Sequence, residues 1–258
     1  MAGSAPVQSL DRAFDLLEIL CRSRGGMTIG ALSAETGLHK STVHRLLAGM
    51  CARGYVLHDP ETSLYRAGMR LCELSSYIVD NLDVVEIARG PMEKLSRITG
   101  ETVHLVMQEE KNIVYIHKVE RGSGTIRMFS RIGMRRPLYC TGVGKAILAT
   151  LPAAEVEDIW RHSRPRKLTG RTITDLDQLK AQLAEVRRCG YAIDDEENEL
   201  GIRCVALAIP GPGGRAESAF SISGLAPYMT DERIRRISAL ALETRADILH
   251  DLGLEPVR

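Results

Sequence analysis

Residues 39–54, His39-Lys-Ser-Thr-Val-His-Arg-Leu-Leu-Ala-Gly-Met-Cys-Ala-Arg-Gly54, contain basic and hydroxyl side chains but no acidic one. Val43, Leu46, Leu47 and Met50 fall at i, i+3, i+4 and i+7, so as a helix this run presents one apolar stripe to a core. Lys40, Ser41, Thr42, His44 and Arg45 then occupy the other face, each able to meet a phosphate or a base edge. The preceding residues 28–38 read as a short helix closed by Gly37, a residue suited to the left-handed position after a helix end. Helix, glycine turn and basic helix together are the plan of a helix-turn-helix that reads double-stranded DNA. His39 and His44 can equally be solvated side chains, and Lys40 can act through phosphate charge alone.

The flanks complete a small domain. Leu10, Ala13, Phe14, Leu17 and Leu20 form a helical stripe over 9–22, with Ser9 as the expected N-cap. Tyr55–Asp59 and Leu64–Gly68 surround an Asp-Pro turn and read as a hairpin. A hairpin directly after a recognition helix is a wing, from which Arg66 can reach a phosphate or the minor groove. Residues 1–68 are therefore expected to form a winged helix-turn-helix. Residues 1–80 hold eight Lys or Arg against eight Asp or Glu, so a DNA-binding surface there must come from segregation of charge and not from excess.

The chain has 258 residues and a net charge of +1, long enough for a second domain. No apolar run approaches the ~18–20 residues of a membrane span, and residues 1–9 lack a secretory pattern. The six cysteines (21, 51, 72, 140, 189, 204) are scattered with no C-x2-C pair. Reduced thiols in the cytoplasm, with no zinc site and no cofactor, are the expectation. Residues 69–82 return to helical periodicity, and 69–90 read as a linker. Residues 91–258 alternate strands (102–108, 112–119, 191–194, 204–209, 219–223) with helices (144–151, 155–160, 175–189, 230–252). A sheet covered by helices, hence an α+β chain overall, is the expected class.

Chemistry-bearing residues in this second part have competing readings. Gly142-Val-Gly-Lys-Ala146 fails as a phosphate loop, because Tyr139 and Ala146 replace the required glycine and hydroxyl. Asp194 to Glu199 is acidic enough for a solvated loop, a carboxylate pair or hard-metal ligands, although the spacing is unconvincing for metal. Cys204 is a core residue or a thiol nucleophile. The latter needs a nearby base, and His104, His117 and His162 are all remote in sequence. A small-acid enzyme using Cys204 or Asp194 and Glu197, with the first domain as adaptor, is thus the alternative to a regulator.

The segment Gly190-Tyr-Ala-Ile-Asp-Asp-Glu-Glu-Asn-Glu-Leu-Gly-Ile-Arg-Cys-Val-Ala-Leu-Ala-Ile-Pro210 closely resembles the signature of the isocitrate-lyase-regulator (IclR) family of bacterial transcription factors. Gly37–Leu47, Cys140–Ala146 and Phe220–Gly224 agree with the same family, in order and spacing. The resemblance implies a winged helix, a linker helix and a GAF-like α/β effector domain. It also implies a dimer or tetramer on a palindromic operator, with a small carboxylate as signal and repression as the family's habit. The family's pocket, carried over by position, falls on Gly142, Val143, Asp194, Cys204, Ser221 and Ser223. Positions of apolar pocket wall in a glyoxylate-responsive relative are here Thr125 and Arg136, with Met128 kept. An arginine there can clamp a carboxylate. Arg127–Pro137 also resembles members that control sugar-acid degradation, so a sugar acid is the expected effector, in preference to an aromatic or purely apolar one.

Overall fold

The computed structural model describes residues 7–80, 83–120 and 130–254. Thr125 and Met128, expected in the pocket, lie outside the described residues. The chain divides into two compact units, Met1–Asn81 and Leu82–Arg258, a division inside the expected linker. No helix of the described residues is long and apolar enough to cross a membrane.

The first unit contains α1 (Gln8–Arg22), α2 (Ile29–Thr36), α3 (Lys40–Ala52), β1 (Val56–Asp59), β2 (Leu64–Ala67) and α4 (Arg70–Asp80). Thr28 caps α2 by accepting the Ala31 N–H at 3.2 Å. Gly37 ends it at φ 69°, the left-handed geometry expected there. Leu16, Leu20, Leu32, Val43, Leu47, Val56 and Tyr65 form the core, with Leu46 and Met50 packed against it.

Two expectations for α1 need correction. The helix begins at Gln8 after an uncapped Val7, so Ser9 lies inside it. Its buried residues are Leu16 and Leu20, whereas Leu10 and Phe14 are exposed. An apolar period gives a helix its stripe but does not say which end of the stripe the neighbouring helices reach.

The second unit opens with α5 (Asp83–Thr99), which carries Pro91 in its interior. A six-stranded sheet follows, built from β3 (Thr102–Glu109), β4 (Asn112–Val119), β5 (Arg135–Pro137), β6 (Ala192–Asp195), β7 (Ile202–Pro210) and β8 (Ala216–Leu225). Its order is β5-β4-β3-β8-β7-β6, every pair antiparallel. The short β5, Arg-Arg-Pro, has no alternation to announce it and was not anticipated. Helices α5 and α9 (Asp231–Asp251) pack on the sheet, and α6 (Gly142–Leu148), α7 (Ala153–Ser163) and α8 (Leu176–Cys189) complete the unit. Small side chains on β7 and β8, Ala206, Ala208 and Ala219, share a core cluster with Val143, Ala146 and Ile147 of α6. Small strand residues let this helix lie close to the sheet.

Gly144 shows how close the packing around α6 is. A Cβ added there would stand 2.1 Å from the Leu138 carbonyl oxygen and 2.5 Å from its Cα. Both obstacles are main chain, so neither can swing aside. Gly144→Ala is expected to cost about 3 kcal/mol or more, the upper range of overpacking. A urea unfolding midpoint unchanged from the parent would contradict so tight a contact.

Candidate functional site

In the first unit the basic helix α3 begins at His39. Its Nδ1 accepts the Ser41 N–H at 3.4 Å and lies 2.8 Å from the Ser41 Oγ. His39 is thus an N-cap, a role the sequence reading did not assign. Lys40, Ser41, His44 and Arg45 are exposed and Thr42 is half-buried, while Val43 and Leu47 point inward. The segregation expected of a reading helix is present. On the wing Arg66 is exposed, and its Nε donates to the Gly25 carbonyl at 3.1 Å, tying β2 to the turn before α2.

In the second unit, strand register assembles a polar cavity. Asp194 lies opposite Cys204 and Cys204 opposite Ser223, while Ser221 lies between Ala206 and His104. Residues i and i+2 share a sheet face, so Ser221 and Ser223 stand together, with hydroxyls 3.5 Å apart. A β-bulge between Leu105 and Val106 sets Tyr115 opposite Val106, and the Tyr115 ring meets His104 edge-on at 5.2 Å. The cavity is lined by the predicted Gly142, Val143, Asp194, Cys204, Ser221 and Ser223. His104, Tyr115, Ser130, Thr141 and Asn198 join them, and its free volume is ≈ 40 Å³.

The start of α6 forms one side. Thr141 caps it, its Oγ accepting the Gly144 N–H at 3.1 Å and donating to the Pro137 carbonyl at 3.0 Å. A Cβ on Gly142 would meet the Ala206 Cβ at 3.1 Å and the Asp194 backbone at 3.4 Å. Arg136 stands apart from this lining. It sits on β5 opposite Ile113, close enough for its charge to bear on Tyr115 and Cys140.

His104 sits between two hydroxyls, with Ser223 Oγ 3.3 Å from Nδ1 and Ser130 Oγ 2.6 Å from Nε2. Burial, reinforced by the Lys118 charge, brings its pKa down to about 3, so the ring is neutral. The Cys204 thiol is pushed up by burial and then by the Asp194 charge. An activated cysteine needs a depressed pKa and an adjacent base, and both shifts run the other way. Glu197 does not line the cavity, so the Asp194 and Glu197 pair does not face it together; Glu199 and Ile202 complete the lining beside Asp194. Among the described residues no group of His, Cys, Asp or Glu is arranged to hold a metal.

Behind the cavity, Lys145 and Glu197 form a buried ion pair, and Lys145 Nζ also donates to Gln182 Oε1 at 2.6 Å. The Glu197 N–H in turn donates to Asp194 Oδ1 at 2.8 Å, and its carbonyl accepts the Thr172 hydroxyl at 2.6 Å. Lys145 thereby anchors the loop that follows β6 and bonds to Asp194. The sequence reading treated Lys145 only as a failed phosphate-loop lysine. A cationic side chain among small and apolar residues, with an acidic segment elsewhere in the chain, was the available signal.

Asp194 is raised to about 7, chiefly by burial and then by the Glu197 charge, against the pull of Lys145 and two backbone N–H groups. The folded state therefore holds this proton more tightly than the unfolded chain. Its contribution to stability is complete below about pH 4 and is lost as pH rises toward 7, at most about 4 kcal/mol. Asp194→Asn keeps the acceptor oxygen and is expected to raise the unfolding midpoint at pH 8 while changing it little at pH 4. Equal effects at both pH values would contradict the shift.

Residues 9–60 match the IclR helix-turn-helix domain, and residues 76–250 match the family described as bacterial transcriptional regulator IclR C-terminal. The chain is 37% identical over 247 residues to the HTH-type transcriptional regulator KdgR of Escherichia coli (strain K12), covering 96% of this chain and 93% of that one. It is 34% identical over 253 residues to the DNA-binding transcriptional repressor YiaJ of the same organism, covering 95% and 88%. The crystal structure of the Thermotoga maritima IclR superposes with a TM-score of 0.82 at 33% identity, covering 96% of this chain and all of that one. These relatives and the family are regulators and not enzymes. With both domains matched in order, the chain belongs to the IclR family of bacterial transcriptional regulators.

Proposed function

We propose that this regulator acts in the cytoplasm as a homo-oligomeric repressor whose operator affinity is set by a polyhydroxylated carboxylic acid, such as a sugar acid. Residues 1–68 read DNA, 69–90 link, and 91–258 receive the signal. Ser41, Thr42 and Arg45 enter the major groove, His44 faces the same way, and Lys40 and Arg66 hold phosphates. A dimer presents two such helices to two half-sites. The exposed Leu10 and Phe14 of α1, with Val7 just before it, supply an apolar face for pairing.

The observation that carries the effector reading is the cavity's lining. Nearly every side chain there bonds hydrogen, and the buried Oδ1 of Asn198 has no partner. A ligand hydroxyl satisfies that oxygen, and the Gly142 and Val143 backbone with Ser221 and Ser223 receives the carboxylate. Burial raises the Asp194 pKa to about 7, which weakens its repulsion of an anion relative to an ordinary carboxylate. A free volume of ≈ 40 Å³ is roomy for about one water and too small for a sugar acid, so binding requires the walls to rearrange. That gives the ligand different affinities for two arrangements, the condition for control.

Thermal unfolding with a panel of sugar acids and keto acids tests the reading. The effector at ~100 times its Kd adds about 2.7 kcal/mol to stability. The Ser221→Ala/Ser223→Ala double variant is expected to lose most of that shift. If no hydroxylated acid stabilises the protein, or if the double variant responds as well as the parent, the assignment fails.

A further inference from the structure

A second, larger cleft of ≈ 420 Å³ opens where the C-terminal ends of α6 and α8 meet β7 and α9. Its chemistry differs from that of the polar cavity. Ala146, Ala149, Val186, Ala208, Pro210 and Leu242 give it apolar walls, and its charged residues are Arg187, Arg188 and Arg245, with no carboxylate in the lining. Arg188 is exposed and already paired with Glu185. The other two guanidiniums form no ion pair among the described residues. Arg187 donates to the Ala149 carbonyl at 2.7 Å, and the half-buried Arg245 donates to the Gly190 carbonyl at 3.1 Å.

Those two bonds cap helix ends. A helix C-terminus offers about half a negative charge, so two ends balance about one of the two guanidiniums. The cleft keeps a net positive charge, and burial alone, with no nearby carboxylate opposing it, lowers the Arg245 pKa. A partly desolvated guanidinium without a counter-charge is a cost that an anion removes. The apolar walls favour an anion that carries hydrocarbon. Thr150 supplies the lining's one side-chain hydroxyl, which disfavours a polyol.

We propose that this cleft binds a small organic monocarboxylate with an apolar body. Its carboxylate meets Arg245 and Arg187, and its hydrocarbon lies against Val186, Ala208 and Leu242. This site is independent of the sugar-acid assignment and takes the opposite ligand class.

The test is calorimetric titration of the full-length protein with benzoate, hexanoate and inorganic phosphate. Saturable binding of benzoate or hexanoate is expected, weakened about tenfold or more in Arg245→Gln. The exposed Arg187→Gln variant should weaken it in the same direction, while Ser221→Ala/Ser223→Ala leaves it unchanged. Three results would overturn the proposal. Neither acid binds; or binding survives both arginine variants and disappears with the serine pair, which places the acid in the polar cavity; or phosphate binds as tightly as the acids, which leaves the apolar walls without a role.

Discussion

Lys145→Met is expected to destabilise the second unit by about 3–5 kcal/mol, the cost of leaving one member of a buried ion pair without its partner. Glu197 is buried, its Oε2 already lacks a hydrogen bond, and the ammonium is the positive charge in contact with it. Without Lys145 the carboxylate must take a proton to remain inside, so the deficit should shrink as pH falls from 8 to 5. Lys145→Met/Glu197→Leu should recover most of the loss, because removing both charges also removes both desolvation costs. Urea unfolding of the three proteins at both pH values decides the matter. A single variant as stable as the parent at pH 8, or a double variant no better than the single, would show that the pair does not hold this loop.

Arg45→Ala is expected to abolish specific operator binding while leaving the fold intact, since the side chain is exposed on α3. One base contact is worth about 1–3 kcal/mol. A symmetric dimer loses it twice, so about 2–6 kcal/mol, roughly 30-fold to 10⁴-fold in affinity, should disappear. Lys40→Ala provides the contrast. Loss of a phosphate contact weakens binding to all sequences alike and lowers the salt slope by about one unit per contact. Fluorescence anisotropy on an operator and on a scrambled duplex, at two salt concentrations, separates the two roles. Equal losses on both duplexes for Arg45→Ala would make it a backbone contact.

The helix-turn-helix was legible because its determinants are local. A glycine whose φ must be positive and an apolar period over 13 residues suffice to define α2, the turn and α3. The inward face of α1 was not legible, because an exposed Leu10 and a buried Leu20 look identical until neighbouring helices choose between them. The second unit divides in the same way. Family-like spacing led to Gly142, Val143, Asp194, Cys204, Ser221 and Ser223, which do line one cavity. Tyr115 was missed and His104 was weighed only as a remote base, because both arrive through pairing across the sheet, Tyr115 only after a bulge shifts the register. Lys145 and Glu197 lie 52 positions apart, and no periodicity joins them.

The close approach of α6 to the sheet divides the labour of recognition. On the side formed by Gly142 and its neighbours the surface is peptide backbone, and almost any substitution there collides with Ala206, Asp194 or Leu138. That side is nearly immutable, and under the proposed effector assignment it is the side that would receive the acid group. The opposite side, from His104, Tyr115 and Ser130 to Asn198, is made of side chains that can be exchanged one at a time. Drift to a new metabolite therefore has an open route through those four positions. Attempts to retune the sensor should begin there.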